Sequence, residues 1–353
     1  HALGLAVPLV LAISTTLGAR AGLRVRDRRG LERARDLTTV VFDKTGTLTL
    51  AEHRVVALRT AGTLSEEEAL RLAAAVERDA EHPVARAIAK SAGERGLEVP
   101  AASDFEALPG RGVRSTVQGR RLAVGGPNLL ASLDVQENIF KGFAGEAAAR
   151  GQGVVYLLEE KETLAAFAVA DAVRPESREA VQRLHEAGIE VVMMTGDARA
   201  VAEAVARDLG IDTVLAEVLP EDKAAEIERL QRQGKRVAMV GDGVNDAPAL
   251  VTADVGVAIG AGTDVAVEAG DIVLVRSDPR DVPRIVNLSR ASYRKMVQNL
   301  WWAAGYNIVA IPLAAGVAAP WGIVLTPAAG AVLMSLSTVI VAINAQLLRR
   351  AEL

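Results

Sequence analysis

The chain has 353 residues, half of them hydrophobic, with no cysteine and a formal net charge of −4. That length allows two or three domains; the charge gives no basic footprint for nucleic acid, and the lack of cysteine excludes disulfides and thiolate ligands within the chain. A mean hydropathy of +0.22 beside 24% charged residues reads as an average over a soluble body and membrane-inserted segments.

The first residues are apolar. Ala2 to Leu17 contains Leu3, Leu5, Val7, Leu9, Val10, Leu11 and Ile13, and the cluster Arg20, Arg24, Arg26, Arg28 and Arg29 follows it. A signal peptide carries its charges before the apolar stretch and a small-residue cleavage site after it. The reverse order here predicts the cytoplasmic end of a transmembrane helix over 1–22, in a chain that is a fragment cut within that helix. A charged linker over 24–36 then leads to Thr39-Val40-Val41-Phe42, an apolar run that predicts a buried strand.

That strand ends in Asp43-Lys44-Thr45-Gly46-Thr47-Leu48-Thr49. An Asp just past a strand end, before a Gly-bearing turn, can present its carboxylate to a phosphate at the open edge of a sheet. Carboxylates attack phosphoryl groups to give aspartyl-phosphates. From about 53 to 165 the texture changes. Helical patterns (65–76, 84–93) mix with short strand patterns (112–117, 122–124, 154–158), which predicts an α+β insert.

From about 167 strands and helices alternate. Val191 to Met194 runs into Thr195-Gly196-Asp197, and Arg236 to Val240 runs into Gly241-Asp242-Gly243-Val244-Asn245-Asp246. Helical patterns over 201–209 and 223–233 lie around and between them. Such alternation predicts a parallel, doubly wound sheet with its loops gathered at the strand C-termini. The α/β domain is thus predicted over 34–52 and 166–285, interrupted by the insert over 53–165.

Asn299 to Val317 is almost uncharged, and at 1.5 Å per residue it spans roughly 28 Å, near the hydrocarbon thickness. Ala318-Ala319-Pro320-Trp321-Gly322 predicts a tight turn, and a second span runs from Ile323 to Leu348, ending at Arg349-Arg350. Two transmembrane helices are expected within 296–348, both basic ends on one side.

Four pieces can converge on one phosphate. Asp43 is a nucleophile. Thr195, Gly196 and Asp197 offer a hydroxyl and backbone N–H groups. Lys223 opens a helix and can neutralise developing charge. Asp242 and Asp246 lie on a Gly-rich loop, and Mg²⁺ takes one or two carboxylates beside waters and phosphate oxygens. Singly, each has a structural reading: Asp197 a helix cap, Lys223 a surface residue, Asp242 a turn.

The seven residues from Asp43 to Thr49 match the phosphorylation signature of P-type ATPases, ion pumps of the haloacid dehalogenase superfamily. Gly241 to Leu250 matches their hinge motif residue for residue, and the resemblance covers nearly the whole chain. It implies an α/β haloacid-dehalogenase-like phosphorylation domain with an α+β nucleotide-binding insert, flanked by transmembrane helices. It implies that Asp43, beside Lys44 and Thr45, takes the γ-phosphate of ATP, and that Thr195 and Lys223 contact phosphate. Asp43, Thr45 and Asp242 would hold Mg²⁺, with Asn245 and Asp246 supporting that loop.

Glu77-Arg78-Asp79-Ala80-Glu81-His82-Pro83 resembles the nucleotide-domain signature of the heavy-metal P-type ATPases. A carboxylate and an imidazole about a helix turn apart can hydrogen-bond an adenine edge. Gly110-Arg111-Gly112 would let backbone approach the nucleotide, and Gly125-Gly126-Pro127-Asn128 sits where the family places a further contact. His1 to Pro8 resembles the sequence after Cys-Pro in the metal-site helix, with His1 the third residue of a Cys-Pro-His motif. Asn299, Tyr306-Asn307 and Pro312 fall at the spacing of the copper branch, and Met334-Ser335-Leu336-Ser337-Thr338 with Asn344 match its Cys-Pro-His members. The transported-metal residues implied are His1, Tyr306, Asn307, Met334 and Ser335. Soft ligands and imidazole suit copper, whereas a zinc or cadmium exporter is expected to carry a carboxylate in the last helix, and residues 323–348 hold none.

The implied function is ATP-driven export of a heavy metal, copper first, through an aspartyl-phosphate, by a multi-pass membrane protein with cytoplasmic catalytic domains. The implied partners are ATP, the metal, the bilayer and an N-terminal part bearing the actuator domain. Other readings are a membrane-anchored phosphatase of the same superfamily, a pump for another transition metal, and a nucleotide or metal sensor. The phosphatase reading leaves the membrane spans unexplained. It also expects an acid/base Asp two residues after the nucleophile, where this chain has Thr45, and a hydroxyl is no ready general base.

Overall fold

The computed structural model describes residues 2–135, 138–242, 244–259, 268–322 and 325–350. In chain order the strands are β1 (Leu23–Val25), β2 (Thr39–Asp43), β3 (Thr49–Thr60), β4 (Ala102–Leu108), β5 (Gly112–Val117) and β6 (Arg120–Gly125). They continue with β7 (Gly153–Glu159), β8 (Glu162–Val173), β9 (Glu190–Met194), β10 (Thr213–Leu215), β11 (Val237–Gly241), β12 (Val255–Ile259) and β13 (Ile272–Leu274). The chain divides into two compact units: His1–Val41 with Gln182–Val191 and Glu221–Leu353, and Phe42–Val181 with Val192–Pro220.

In the first unit β11, β12 and β13 run parallel, with Met239 opposite Gly256 and Val257 opposite Ile272. β1 closes the edge antiparallel, Leu23 opposite Leu274. Every residue of β11, β12 and β13 is buried, as expected of parallel strands covered on both faces. Close packing is built into the glycines. A Cβ on Gly256 would lie 2.5 Å from the Leu250 carbonyl oxygen, and one on Gly30 would lie 2.4 Å from the Asp271 Cβ.

The same unit carries the apolar helices. The helix Pro8–Arg20 starts on a proline at its first turn, where no N–H is missed. A 34-residue helix runs unbroken from Asp281 to Ala314, so the expected span at Asn299 is its second half. Its first half buries Val282, Ile285, Val286, Leu288, Ser289 and Ser292, a 3.6-period stripe. Helix Pro327–Gln346 is capped by Thr326, whose hydroxyl accepts from the Ala329 N–H. Val10, Ile13, Ala345 and Leu348 form one buried cluster of these helices, and Ala6, Ala303 and Val341 another. Among the described residues one helix, Ala328–Arg350, is long and apolar enough to cross a membrane. The run at Asn299 falls short by that measure because Gln298, Asn299, Tyr306 and Asn307 dilute it.

The second unit contains a six-stranded antiparallel sheet in the order β3-β8-β7-β6-β5-β4. Alternation sends its side chains to two cores. Leu122, Leu157 and Phe167 point to one face, against Leu70, Leu72 and Ile88 of helices Glu66–Val76 and Pro83–Glu94. Ala123, Tyr156 and Leu158 point to the other, against Leu129 and Phe140. The end of β9 pairs parallel with β10, Met194 opposite Leu215.

Candidate active site

Asp43 is the last residue of β2 and is 6% exposed. The chain turns at once: Gly46 has φ +77°, a value that favours glycine. The loop is then fastened from several sides. The Gly46 N–H donates to Thr49 Oγ1 at 3.2 Å, and Thr49 Oγ1 donates to the Lys44 carbonyl at 3.0 Å and to the Asp171 carboxylate. Arg174 donates to the carbonyls of Gly46 (2.9 Å) and Thr47 (3.0 Å), and Ser177 Oγ donates to that of Leu48 (2.9 Å). The Thr47 hydroxyl is buried with no hydrogen-bond partner among the described residues.

Thr49, Asp171, Arg174 and Ser177 were absent from the sequence-based site. Asp171 and Arg174 lie more than a hundred residues from the loop, beyond the insert. The one available signal was the Asp171-Ala172-Val173-Arg174 run at the end of a long apolar strand.

Lys44 is buried, and its ammonium lies 2.9 Å from Asp197 and 3.8 Å from Asp171. Thr195 follows the end of β9 almost fully buried, its backbone N–H donating to the Leu215 carbonyl, while its hydroxyl accepts from the Asp197 N–H at 3.1 Å. Gly196 is exposed at the tip of this turn. Lys44, Asp171 and Asp197 are thus brought together within the second unit.

Lys223 and Asp246 are brought together within the first unit. Lys223 Nζ donates to Asp246 Oδ1 at 2.7 Å, and both residues are buried. Gly241 makes room for that carboxylate, since a Cβ there would sit 2.5 Å from Asp246 Oδ2. Asp242 follows the end of β11 half-exposed, and Asn245 is exposed one residue before Asp246.

A second concave site lies in the insert sheet. A cavity of about 410 Å³ is lined by Glu77, His82, Leu108, Gly110, Gly112 and Gly126 among others. His82 caps the helix that Pro83 opens, its Nδ1 accepting from the Ala85 N–H at 3.2 Å, which leaves Nε2 3.0 Å from Glu77 Oε2. The Glu77 carboxylate raises the His82 pKa above the ordinary imidazole value, against the opposing effect of burial. Glu77 is 3% exposed, and no donor meets its Oε2 in hydrogen-bond geometry. The wall is backbone: a Cβ on Gly112 would sit 2.1 Å from the Val124 carbonyl oxygen, and one on Gly125 2.1 Å from that of Arg111. Asn128 ties this wall together by donating to the Gly110 carbonyl at 3.3 Å.

In the apolar helices Tyr306 and Asn307 are half-buried, and Met334 and Ser335 are exposed. The Tyr306 hydroxyl donates to the Gly330 carbonyl at 3.4 Å, and Ser335 and Thr338 donate to carbonyls one turn back. His1 lies outside the described residues. Asn299 is fully buried and donates to the Ala6 carbonyl at 3.3 Å, while its Oδ1 accepts from Asn344 at 2.8 Å.

A family model for haloacid dehalogenase-like hydrolases matches residues 37–254. The chain belongs to that family. The expectation of a heavy-metal P-type ATPase sequence within it also stands. Copper-exporting P-type ATPase B of Archaeoglobus fulgidus is 54% identical over 351 residues, 99% of this chain and 50% of that protein. A zinc-transporting PIB-type ATPase, solved in an E2·Pi state, superposes with a TM-score of 0.79 at 34% identity, over 98% of this chain and 55% of that one. The catalytic domain of the CPx-ATPase CopB-B, studied for its changes upon nucleotide binding, gives 0.62 at 28% identity, over 77% of this chain and 98% of that domain. The fold class is therefore the expected one, a haloacid-dehalogenase-like α/β domain with an α+β insert. The chain spans about half the length of the curated relatives it matches.

Proposed function

We propose that this chain is the catalytic half of an ATP-driven copper exporter that works through an aspartyl-phosphate at Asp43. The observation that carries the reading is the buried Asp43 at the end of β2, followed by a loop whose turn is fixed by Thr49, Asp171, Arg174 and Ser177. A nucleophile held on so constrained a loop loses little entropy on reaction. An Asp43 oxygen attacks the γ-phosphorus of ATP, the bond from that phosphorus to the β,γ-bridging oxygen breaks, and ADP leaves with the electron pair. Thr195 and the backbone at Gly196 bind phosphoryl oxygens, and the Lys223 ammonium, oriented by Asp246, offsets their charge. Lys44, held by Asp197 and Asp171, keeps the loop in register, and Asn245 supports the hinge loop.

The ligands proposed for a metal are the Asp43 and Asp242 carboxylates and the Thr45 carbonyl. An all-oxygen set of this kind fits Mg²⁺ and is a poor match for soft metals. When bound there, Mg²⁺ supplies positive charge to the transferring phosphoryl group.

ATP is taken at the insert cavity. The Glu77–His82 pair and the side-chain-free wall at Gly110 and Gly112 suit an adenine edge and a close-lying ribose. Asn128 serves by fixing the Gly110 segment. Copper, as the transported substrate, follows from the names of the relatives and from the absence of any carboxylate in the last helix; His1, Tyr306, Asn307, Met334 and Ser335 are its proposed contacts. The protein is then a multi-pass membrane protein, its catalytic units cytoplasmic and its partner the actuator-bearing N-terminal part.

The test is phosphorylation with γ-labelled ATP and Mg²⁺. A hydroxylamine-sensitive acyl-phosphate is expected, lost in Asp43→Asn. Label that survives this substitution sinks the assignment. In the complete protein, copper is expected to stimulate ATPase activity and zinc to have little effect. Equal stimulation by the two metals sinks the copper reading alone.

A further inference from the structure

The insert cavity carries a cation that the proposed chemistry does not use. Arg111 is the one lysine or arginine among its lining residues; beside Glu77 and His82 the rest are glycine, alanine, proline and aliphatic side chains. Arg111 is exposed, and its guanidinium has no hydrogen-bond or ion-pair partner among the described residues. Other arginines of the insert are engaged. Arg114 and Arg121 lie 3.4 and 3.6 Å from the Glu106 carboxylate, and Arg86 donates to the Glu81 carbonyl at 2.9 Å.

The backbone fixes where this side chain starts. The Arg111 N–H donates to the Leu108 carbonyl at 2.9 Å, Asn128 holds the Gly110 carbonyl, and Gly112 pairs with Gly125 across β5 and β6. Gly110 and Gly112, at φ +70° and +146°, turn the chain on either side of Arg111 and set no side chain beside it. A Cβ on Gly112 or Gly125 would collide with backbone, whereas one on Gly110 or Gly126 would meet nothing within 4 Å. The wall is therefore closed at one glycine pair and open at the other, and Arg111 stands next to the open one.

Adenine and ribose are uncharged and suit an aliphatic lining. A polyphosphate does not, because charge set against apolar walls loses its hydration without return. We infer that Arg111 binds the α- and β-phosphates of the nucleotide at the cavity mouth and makes the cavity selective for nucleoside di- and triphosphates over nucleosides. A guanidinium presents planar, paired donors that match phosphate oxygens, and this one gives up no other partner to do so. A grip on the α- and β-phosphates leaves the γ-phosphate, the group that is transferred, unheld by the insert. The inference rests on the reading of this cavity as the ATP site and adds the phosphate end of the ligand to it.

The test is calorimetric titration of the 353-residue chain in detergent with adenosine and with ADP, in EDTA so that no phosphoryl group moves. ADP is chosen because it lacks the γ-phosphate that Thr195 and Lys223 are proposed to meet. ADP should bind roughly tenfold tighter than adenosine, the worth of about one charge-assisted hydrogen bond at an exposed site. R111Q should bring the ratio close to one and leave adenosine affinity unchanged, which shows the cavity intact. R111K keeps the charge without the planar fork and should fall between the two. R150Q, at an exposed arginine that ends the helix Lys141–Ala149 and does not line the cavity, should keep the full preference. An ADP preference that survives R111Q, or equal binding of the two ligands by the unsubstituted chain, overturns the role of Arg111 and leaves the cavity reading in place. Adenosine binding that is absent, or indifferent to His82→Ala, overturns the cavity reading and the inference with it.

Discussion

Lys44 and Asp171 are among the few charges this chain buries. Their side chains are 6% and 3% exposed, and Asp171 also takes the Thr49 hydrogen bond that closes the loop after Asp43. Removing Asp171 leaves Lys44 its closer partner Asp197, at 2.9 Å, but takes away the acceptor of the Thr49 hydroxyl, and an unmet buried polar group costs about 1–3 kcal/mol. Asp171→Ala is expected to destabilise the second unit by about 1–3 kcal/mol in denaturant unfolding and to slow phosphorylation of Asp43; an unchanged midpoint with full labelling would falsify the clamp. His82 makes a pH statement. Glu77 holds its pKa above the ordinary value, so protonation favours the fold. That stabilisation is complete below the unfolded imidazole pKa, about 6.5, and fades as pH rises through the higher folded value. Titration of the His82 ring by NMR should show a midpoint above the ordinary imidazole value, and Glu77→Gln should lower it. Asp43 was legible as a candidate nucleophile because its signature sits in seven contiguous residues. The clamp was not, because Arg174 reaches it only once β3 and β8 have paired across the insert.

At the scale of elements, periodicity was readable wherever one face is buried. The helices over 66–76, 83–94, 199–209 and 223–232, and the strands β5, β7, β9 and β11, appear within a few residues of where the pattern placed them. β4 was missed because its seven residues are exposed or half-exposed along their length, leaving no alternation to read. The helix Asp281–Ala314 was read only from its uncharged half. Arg284, Arg290, Arg294 and Lys295 disguise a first half whose buried stripe is nonetheless regular. Glycine carries the clearest element-scale prediction. Gly112 pairs with Gly125 across β5 and β6, at φ +146°, with no room for a Cβ. Gly112→Ala forces the strands apart or the backbone out of place, a change of the overpacking kind that costs about 1–3 kcal/mol. Calorimetry should show ATP affinity falling with stability. Gly119→Ala, also at positive φ but with open space around its Cβ, should lose stability and keep affinity. Equal affinity losses in the two variants would separate the cavity wall from nucleotide binding.

At the scale of the molecule, on the membrane reading proposed above, the first unit has to hold its apolar helices together with little help from the hydrophobic effect, since lipid is as apolar as their side chains. A chain of hydrogen bonds does part of this. Lys295 donates to Asn344, Asn344 to Asn299, and Asn299 to the Ala6 carbonyl. Ala6 lies where the first helix breaks, between Leu5 and Pro8, so its carbonyl is one the helix itself leaves available. Asn299 is fully buried at the junction, and replacing it alone strands two groups. Asn299→Leu leaves the Asn344 amide and the Ala6 carbonyl without partners, a loss of about 1–3 kcal/mol by the cost of an unmet buried group. Measurements inside membranes put the mean nearer 0.6 kcal/mol, because the separated helices find other partners. About 1 kcal/mol is the expected outcome, seen as a lower midpoint in detergent unfolding followed by Trp301 and Trp302 emission. The double replacement Asn299→Leu with Asn344→Leu removes donor and acceptor together, and that is nearly neutral where shape is kept. It should therefore recover part of the lost stability, giving a coupling between the two sites of at least about 0.5 kcal/mol. Strictly additive losses would mean that the asparagines act separately and that packing at Ala303 and Val341 alone holds the helices.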